Sequence, residues 1–157
     1  MTVIDATCLA DIEEIKQLKF RYGMLVDALP ARGRDAANEL AVLFTEPMHV
    51  DFRSVFGVTL TSKEEFSQFF GETLPASLGW MLHSFSNPII EVAGNHASGT
   101  WLLYAMTTAR DNPHSAPDIS YGRYLDEYVR TPDGWRQRSL KYKNLTRNGA
   151  PAGATEP

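Results

Sequence analysis

The sequence predicts an α+β domain, with three helices packed over the concave face of a strongly curved, mostly antiparallel sheet. Three observations carry this prediction. Apolar residues recur at helical spacing early in the chain, the part after residue 80 alternates with a period of two, and short turns join the alternating runs. A chain of 157 residues with 43% hydrophobic content is long enough to enclose one core, with room for a pocket.

Ile12, Ile15, Leu18, Tyr22, Leu25, Val26 and Leu29 recur at helical spacing, so residues 10 to 29 are read as an amphipathic helix that Pro30 stops. "GRDAANELAVLF" continues as a shorter second helix, and Pro47 opens a strand, "MHVDFRSV". Thr61 and Glu64 have capping-box spacing and mark a third helix that Gly71 and Pro75 bring to an end. Four strands follow, near 80 to 93, 96 to 109, 119 to 130 and 134 to 145. "AGNH" and "TPDGW" supply hairpin turns with Gly or Asn where positive φ is needed, whereas "RDNPHSAPD" reads as a longer loop at the rim of the sheet. Residues 1 to 146 are thus read as one domain, and "RNGAPAGATEP", 147 to 157, as a mobile tail with too little apolar surface to offset its ordering entropy.

A formal charge of -4, with no run of Lys or Arg longer than two, argues against nucleic acid as a partner. Cys8 is the only cysteine, which excludes an internal disulfide and suits a reducing cytoplasm. The amino terminus lacks the basic and apolar regions of a signal peptide, and no apolar run approaches the roughly 18 residues of a membrane span. A soluble, cytoplasmic protein is expected.

The stretch "MLHSFSNPII" places a histidine in a strand. If residues 80 to 87 are extended, Met81, His83, Phe85 and Asn87 share one face, and Trp80, Leu82, Ser84 and Ser86 share the other. His83 is then either a core histidine bonded to a backbone carbonyl or a base. Burial keeps an imidazole neutral and able to accept a proton, and a carboxylate on one ring nitrogen would fix its tautomer. Asp27 is the candidate carboxylate. Its helical position, about 140° from Tyr22 in a minor stripe with Phe20 and Met24, is also that of a solvated aspartate, though one opposing the helix dipole.

Taken together, "IEEIKQLKFRYGMLVDAL", "LFTEPMHVDFRS", "HSFSNPIIEVAGNHASGTWLLYA" and "GRYLDEYVRTPDGWR" resemble, in order, the SnoaL-like branch of the nuclear transport factor 2-like superfamily. The resemblance covers residues 9 to 144 and implies a cone-shaped barrel, its curved sheet closed over by helices around an apolar cavity. "VDFRS" and the His83 strand look most like scytalone dehydratases, and Asp27 followed by His83 also looks like hexachlorocyclohexane dehydrochlorinases. The spacing of Tyr22 and Asp27 is similar to that in bile-acid dehydratases of the same fold. The sequence departs from the scytalone dehydratase pattern at Phe52, where that family has tyrosine, and at Thr107 and Tyr124, where it has a second histidine and an asparagine.

These likenesses imply a cofactor-free lyase acting on a small, largely apolar cyclic substrate. His83, Asp27 and Tyr22 would be catalytic, and Phe52, Phe85, Tyr104, Thr107 and Tyr124 would bind substrate. A homo-oligomer, dimer or trimer, is expected, with neither nucleic acid nor membrane as partner. An isomerase or polyketide cyclase using the same pocket, or a non-catalytic ligand carrier or accessory subunit, are the alternatives. Tyr22 also fits an ordinary core aromatic, and the face taken by Tyr124, Asp126 and Tyr128 is left open by the pattern. Asp51 ranks below Asp27 as a base, being displaced by one residue from where ketosteroid isomerases of this superfamily place theirs. His96 falls in a turn, His114 in the proline-bearing loop, and no histidine pair has metal-ligand spacing.

Overall fold

The structure, a computed structural model, describes residues 5 to 151. Helix α1 (Ala6–Arg32) starts where the Asp5 carboxylate accepts the Cys8 N–H at 2.8 Å and ends at Gly33, whose N–H reaches the Leu29 carbonyl. Pro30 lies inside the last turn and does not stop the helix. So close to the end, its missing N–H removes one helical bond and no more.

Next come α2 (Arg34–Ala41), β1 (Phe44–Asp51), α3 (Arg53–Phe56) and β2 (Thr59–Leu60). The strand expected from "MHVDFRSV" therefore sits four residues earlier, and its second half coils into α3. The Asp51 carboxylate stabilises that break by accepting the Arg53 backbone N–H two residues on at 3.1 Å, as in an Asx turn. A fourth helical body, α4 (Lys63–Gln68), a π-helical turn (Phe69–Thr73) and α5 (Leu74–Ser77), runs unbroken to Ser77. Its capping box is formed by Ser62 and Glu65, one residue later than the Thr61 and Glu64 spacing suggests. That phase turns Phe66 into the core. In the π turn the Leu74 N–H reaches the Phe69 carbonyl five residues back, so the helix passes Gly71 and Pro75 with Phe69 and Phe70 both buried.

The long strands are β3 (Leu78–Ala93), β4 (His96–Ala109), β5 (Asp118–Thr131) and β6 (Gly134–Arg147), close to the expected bounds. A short β7 (Ala150–Pro151) pairs with β6. Residues 152 to 157 of the expected tail lie outside the described residues. The sheet is curved, unclosed and mixed, in the order β2-β1-β6-β5-β4-β3, and only the β1–β6 pair is parallel. Gly94 and Gly134, with φ of 63° and 96°, turn the two tight hairpins as the sequence predicts.

Alternation fixes which face is covered. Trp101, Leu103 and Ala105 of β4 and Tyr124, Asp126 and Tyr128 of β5 point inward and are buried, which settles the face left open by the pattern. Helix α1 lies across this face and buries Ile15, Leu18, Tyr22, Val26 and Leu29, each worth roughly 1.5–3 kcal/mol. On the other face Trp80, Leu82, Tyr121 and Leu145 are exposed. Among the described residues no helix is long and apolar enough to cross a membrane.

Candidate active site

The sheet order makes β3 an edge strand, and its free edge faces α1. A strand edge presents N–H groups with no ladder partner, and one of them belongs to His83. Asp27, late in α1, covers it. Its Oδ2 accepts the His83 backbone N–H at 3.1 Å, and its Oδ1 lies 2.7 Å from the ring Nδ1. The carboxylate thus holds one residue by both main chain and ring. With Nδ1–H donating to Oδ1, the tautomer places the free lone pair on Nε2. The His83 side chain is 10% exposed and that of Asp27 22%. Asp27 therefore leaves the wet stripe of Phe20 and Met24, which are 67% and 58% exposed, and sits at its boundary with the sheet.

Beyond His83 lies a cavity of about 150 Å³. Tyr22 and Val26 of α1 form one wall, and Phe52, Phe69, Phe70 and Leu74 another. Leu103, Ala105 and Thr107 of β4, with Tyr124 of β5 and Tyr142 of β6, line the sheet side. Val55 and Phe56 of α3, both partly exposed, and the polar residues Ser120, Asn144 and Arg147 complete the lining. Sequence reasoning missed these last three, which come from strand ends brought together only by the curl of the sheet. A larger hollow of about 850 Å³ lies against outward positions such as His49, Thr100, Glu127 and Lys141. It is the more open of the two and touches neither His83 nor Asp27, so the smaller cavity is the candidate site.

The expected residues separate cleanly. His83, Tyr22, Phe52, Thr107 and Tyr124 line the cavity together. Phe85 stands just behind it, with its ring centroid 5.5 Å from that of Tyr124 and 6.2 Å from that of Tyr22. Tyr104 does not reach it. It alternates with the inward Leu103 and Ala105, so it points to the outer face and packs there on Tyr121 at 5.1 Å. Asn87 also leaves the His83 face, because a bulge between Ser86 and Ile89 breaks the alternation. Asp51 is held by Arg53 through hydrogen bonds of 2.8 and 3.0 Å, which pull its carboxyl down to about 2 and occupy it as an ion-pair clasp. His96 and His114 are exposed.

Burial pushes the Tyr22 phenol well above its ordinary value and does the same to Tyr124. Both therefore remain protonated hydroxyl donors at neutral pH. Among the described residues no three His, Cys, Asp or Glu side chains converge to hold a metal ion.

The profile of the SnoaL-like domain matches residues 7 to 141, most of the chain. The chain belongs to the SnoaL-like family. No curated protein matches it. Among solved structures, this SnoaL-like chain is similar to a provisionally named scytalone dehydratase from Novosphingobium aromaticivorans, at 20% identity and a TM-score of 0.76, over 94% of this chain and 97% of that one. Hexachlorocyclohexane dehydrochlorinase LinA-type3 from Novosphingobium barchaimii aligns over 95% and 94% of the two chains, at 15% identity and a TM-score of 0.73. A nuclear transport factor 2-like protein from Salmonella enterica covers 92% and 96% of the two, at 19% identity and a TM-score of 0.70. At these identities the likeness establishes the fold.

Proposed function

We propose that this SnoaL-like chain is a cofactor-free lyase of the dehydratase or dehydrohalogenase type. The observation that carries the reading is the Asp27–His83 contact at 2.7 Å beside a largely apolar cavity. Names of structural neighbours, a scytalone dehydratase and a dehydrochlorinase, support the same class. His83 Nε2 takes a proton from a carbon next to a carbonyl or another activating group. The electron pair of the broken C–H bond forms the new double bond as halide leaves, or as the hydroxyl leaves with the proton returned by the His83 imidazolium and departs as water. Asp27 stabilises the imidazolium produced, and the Tyr22 hydroxyl donates to the enolate oxygen or to the leaving group. A cavity of about 150 Å³ suits a single apolar ring, the scale at which roughly this volume accommodates benzene. The exposed outer-face residues Trp80, Leu82 and Tyr121 fit a homo-oligomer, which belongs to the same proposal.

The test is turnover and product mass on candidate cyclic substrates. Loss of about 18 mass units, or of a hydrogen halide, with a His83→Ala chain that stays folded and loses activity, is the expected result. A product of unchanged mass would assign isomerisation or cyclisation to the pocket. A folded His83→Ala chain with full activity would remove proton abstraction by His83 altogether.

A further inference from the structure

Lys19 has no part in the reaction above, yet it is 1% exposed and sits directly behind the cavity wall. Its Nζ is 2.7 Å from Asp126 Oδ2. The same nitrogen lies over three rings, 3.8 Å from the Tyr124 centroid, 4.6 Å from that of Tyr22 and 4.7 Å from that of Phe85. Asp126 also accepts the Tyr128 hydroxyl at 2.8 Å, and that hydroxyl accepts the Trp101 indole N–H at 3.1 Å. Asp126 Oδ1 accepts no hydrogen bond of good geometry among the described residues, although the Gln137 side chain lies near the carboxylate. Burial lowers the Lys19 ammonium and raises the Asp126 carboxyl, each opposed by the other's charge.

A buried ion pair is a weak source of stability, because dehydrating both charges offsets most of their attraction. Two apolar side chains would serve the core as well. What they would not supply is a cation against the faces of two phenols that wall the cavity.

We propose that Lys19 is a positioning residue for Tyr22 and Tyr124, its ammonium lying against their rings so that the two hydroxyls form a donor site for an oxyanion in the cavity. The inference rests on the reading of this cavity as the site where an enolate-like charge develops. A phenol that donates to an oxyanion takes negative charge into its ring, and a cation at the ring face stabilises that charge. The Asp126 carboxylate opposes part of the effect, but it is the ammonium that contacts the rings. The site would hold the oxygen of an enolate or a phenolate, and would hold a neutral ring of the same shape no better than any apolar pocket.

The probes are 4-nitrophenol, at a pH where it is ionised, and nitrobenzene, which lacks the oxygen; absorbance titration gives both affinities. Lys19→Met alone leaves the Asp126 charge without its partner, so the variant is Lys19→Met/Asp126→Asn. Lys19→Gln/Asp126→Asn repeats the measurement with a second neutral pair. Phenolate affinity relative to nitrobenzene should fall about tenfold in the neutral pairs. Tyr22→Phe/Tyr124→Phe should lose the same preference, and combining the two pairs should lose no more. A ratio unchanged in the neutral pairs, a parallel loss of both ligands, a wild-type chain without preference for the phenolate, or losses that multiply would each overturn the proposal. Repeating the ratio in a His83→Ala background separates the two readings. Lys19 dependence there upholds the oxyanion site even if proton abstraction by His83 fails, and its absence overturns the site and leaves that reading standing.

Discussion

The Asp27 carboxylate meets His83 twice, with Oδ1 at 2.7 Å from the ring Nδ1 and Oδ2 at 3.1 Å from the backbone nitrogen. An amide in the same place can keep the main-chain contact, but its NH₂ group donates where the carboxylate accepts. Asp27→Asn should therefore favour the tautomer with the proton on Nε2, which can no longer take one from substrate. We expect a loss in kcat on the order of 10²- to 10⁴-fold with the fold retained, measured by turnover and thermal melting on the same sample.

Gly23 lies one turn before Asp27, and it lets α1 approach β3 closely enough for that contact. A Cβ added at Gly23 would stand 2.8 Å from Phe85 Cε2 and 4.0 Å from the His83 Cβ. The Phe85 ring has little room to retreat, being packed against Tyr22, Tyr124 and Trp101. Gly23→Ala should cost about 1–3 kcal/mol of stability by overpacking, and Gly23→Val more. Urea unfolding gives the first quantity. Activity should fall further than stability alone explains, since the helix must move away from His83.

Asp11 clasps the other end of α1 to the sheet. It accepts from Arg130 at 2.6 Å and from the Trp135 indole at 3.1 Å, while Glu14 accepts the Trp135 backbone N–H at 2.8 Å. Asp11→Ala leaves the buried indole N–H without an acceptor, and should cost about 1–3 kcal/mol in chemical denaturation. Binding of nitrobenzene in the distant cavity should change little.

Acid stability should depend on Asp51. The Arg53 hydrogen bonds bring its carboxyl from the ordinary 3.8 to about 2 in the folded chain. A depressed folded value means that the stabilisation is fully present above 3.8 and is lost as pH falls through about 2. Asp51→Asn should flatten the dependence of unfolding free energy on pH in that window and leave the curve above it parallel to wild type. An unchanged slope below pH 3.8 would contradict this assignment.

Periodicity made most of the fold legible, because β3 to β6 alternate over runs long enough for one face to be buried throughout. Local phase was harder to read. Thr61/Glu64 and Ser62/Glu65 both satisfy the capping-box pattern, and only the burial of Phe66 selects the second. The α3 turn was hidden because "DFRS" reads as strand until the Asp51 carboxylate captures the Arg53 backbone. Asp27 carried no periodic signal, since its value lies in the edge of a strand 56 residues away. Lys19 did carry one. It falls within the buried stripe of Ile15, Leu18, Tyr22 and Val26, and a charge placed there calls for an opposite charge on the facing sheet.

The rim of β3 that α1 covers gives Asp27 a second duty. A strand edge packed under a helix leaves main-chain donors that neither a neighbouring strand nor water can satisfy, and here one carboxylate accepts from such a donor. Drift at this position therefore endangers folding along with chemistry, so a chain that had abandoned its reaction would still have reason to keep an acceptor there.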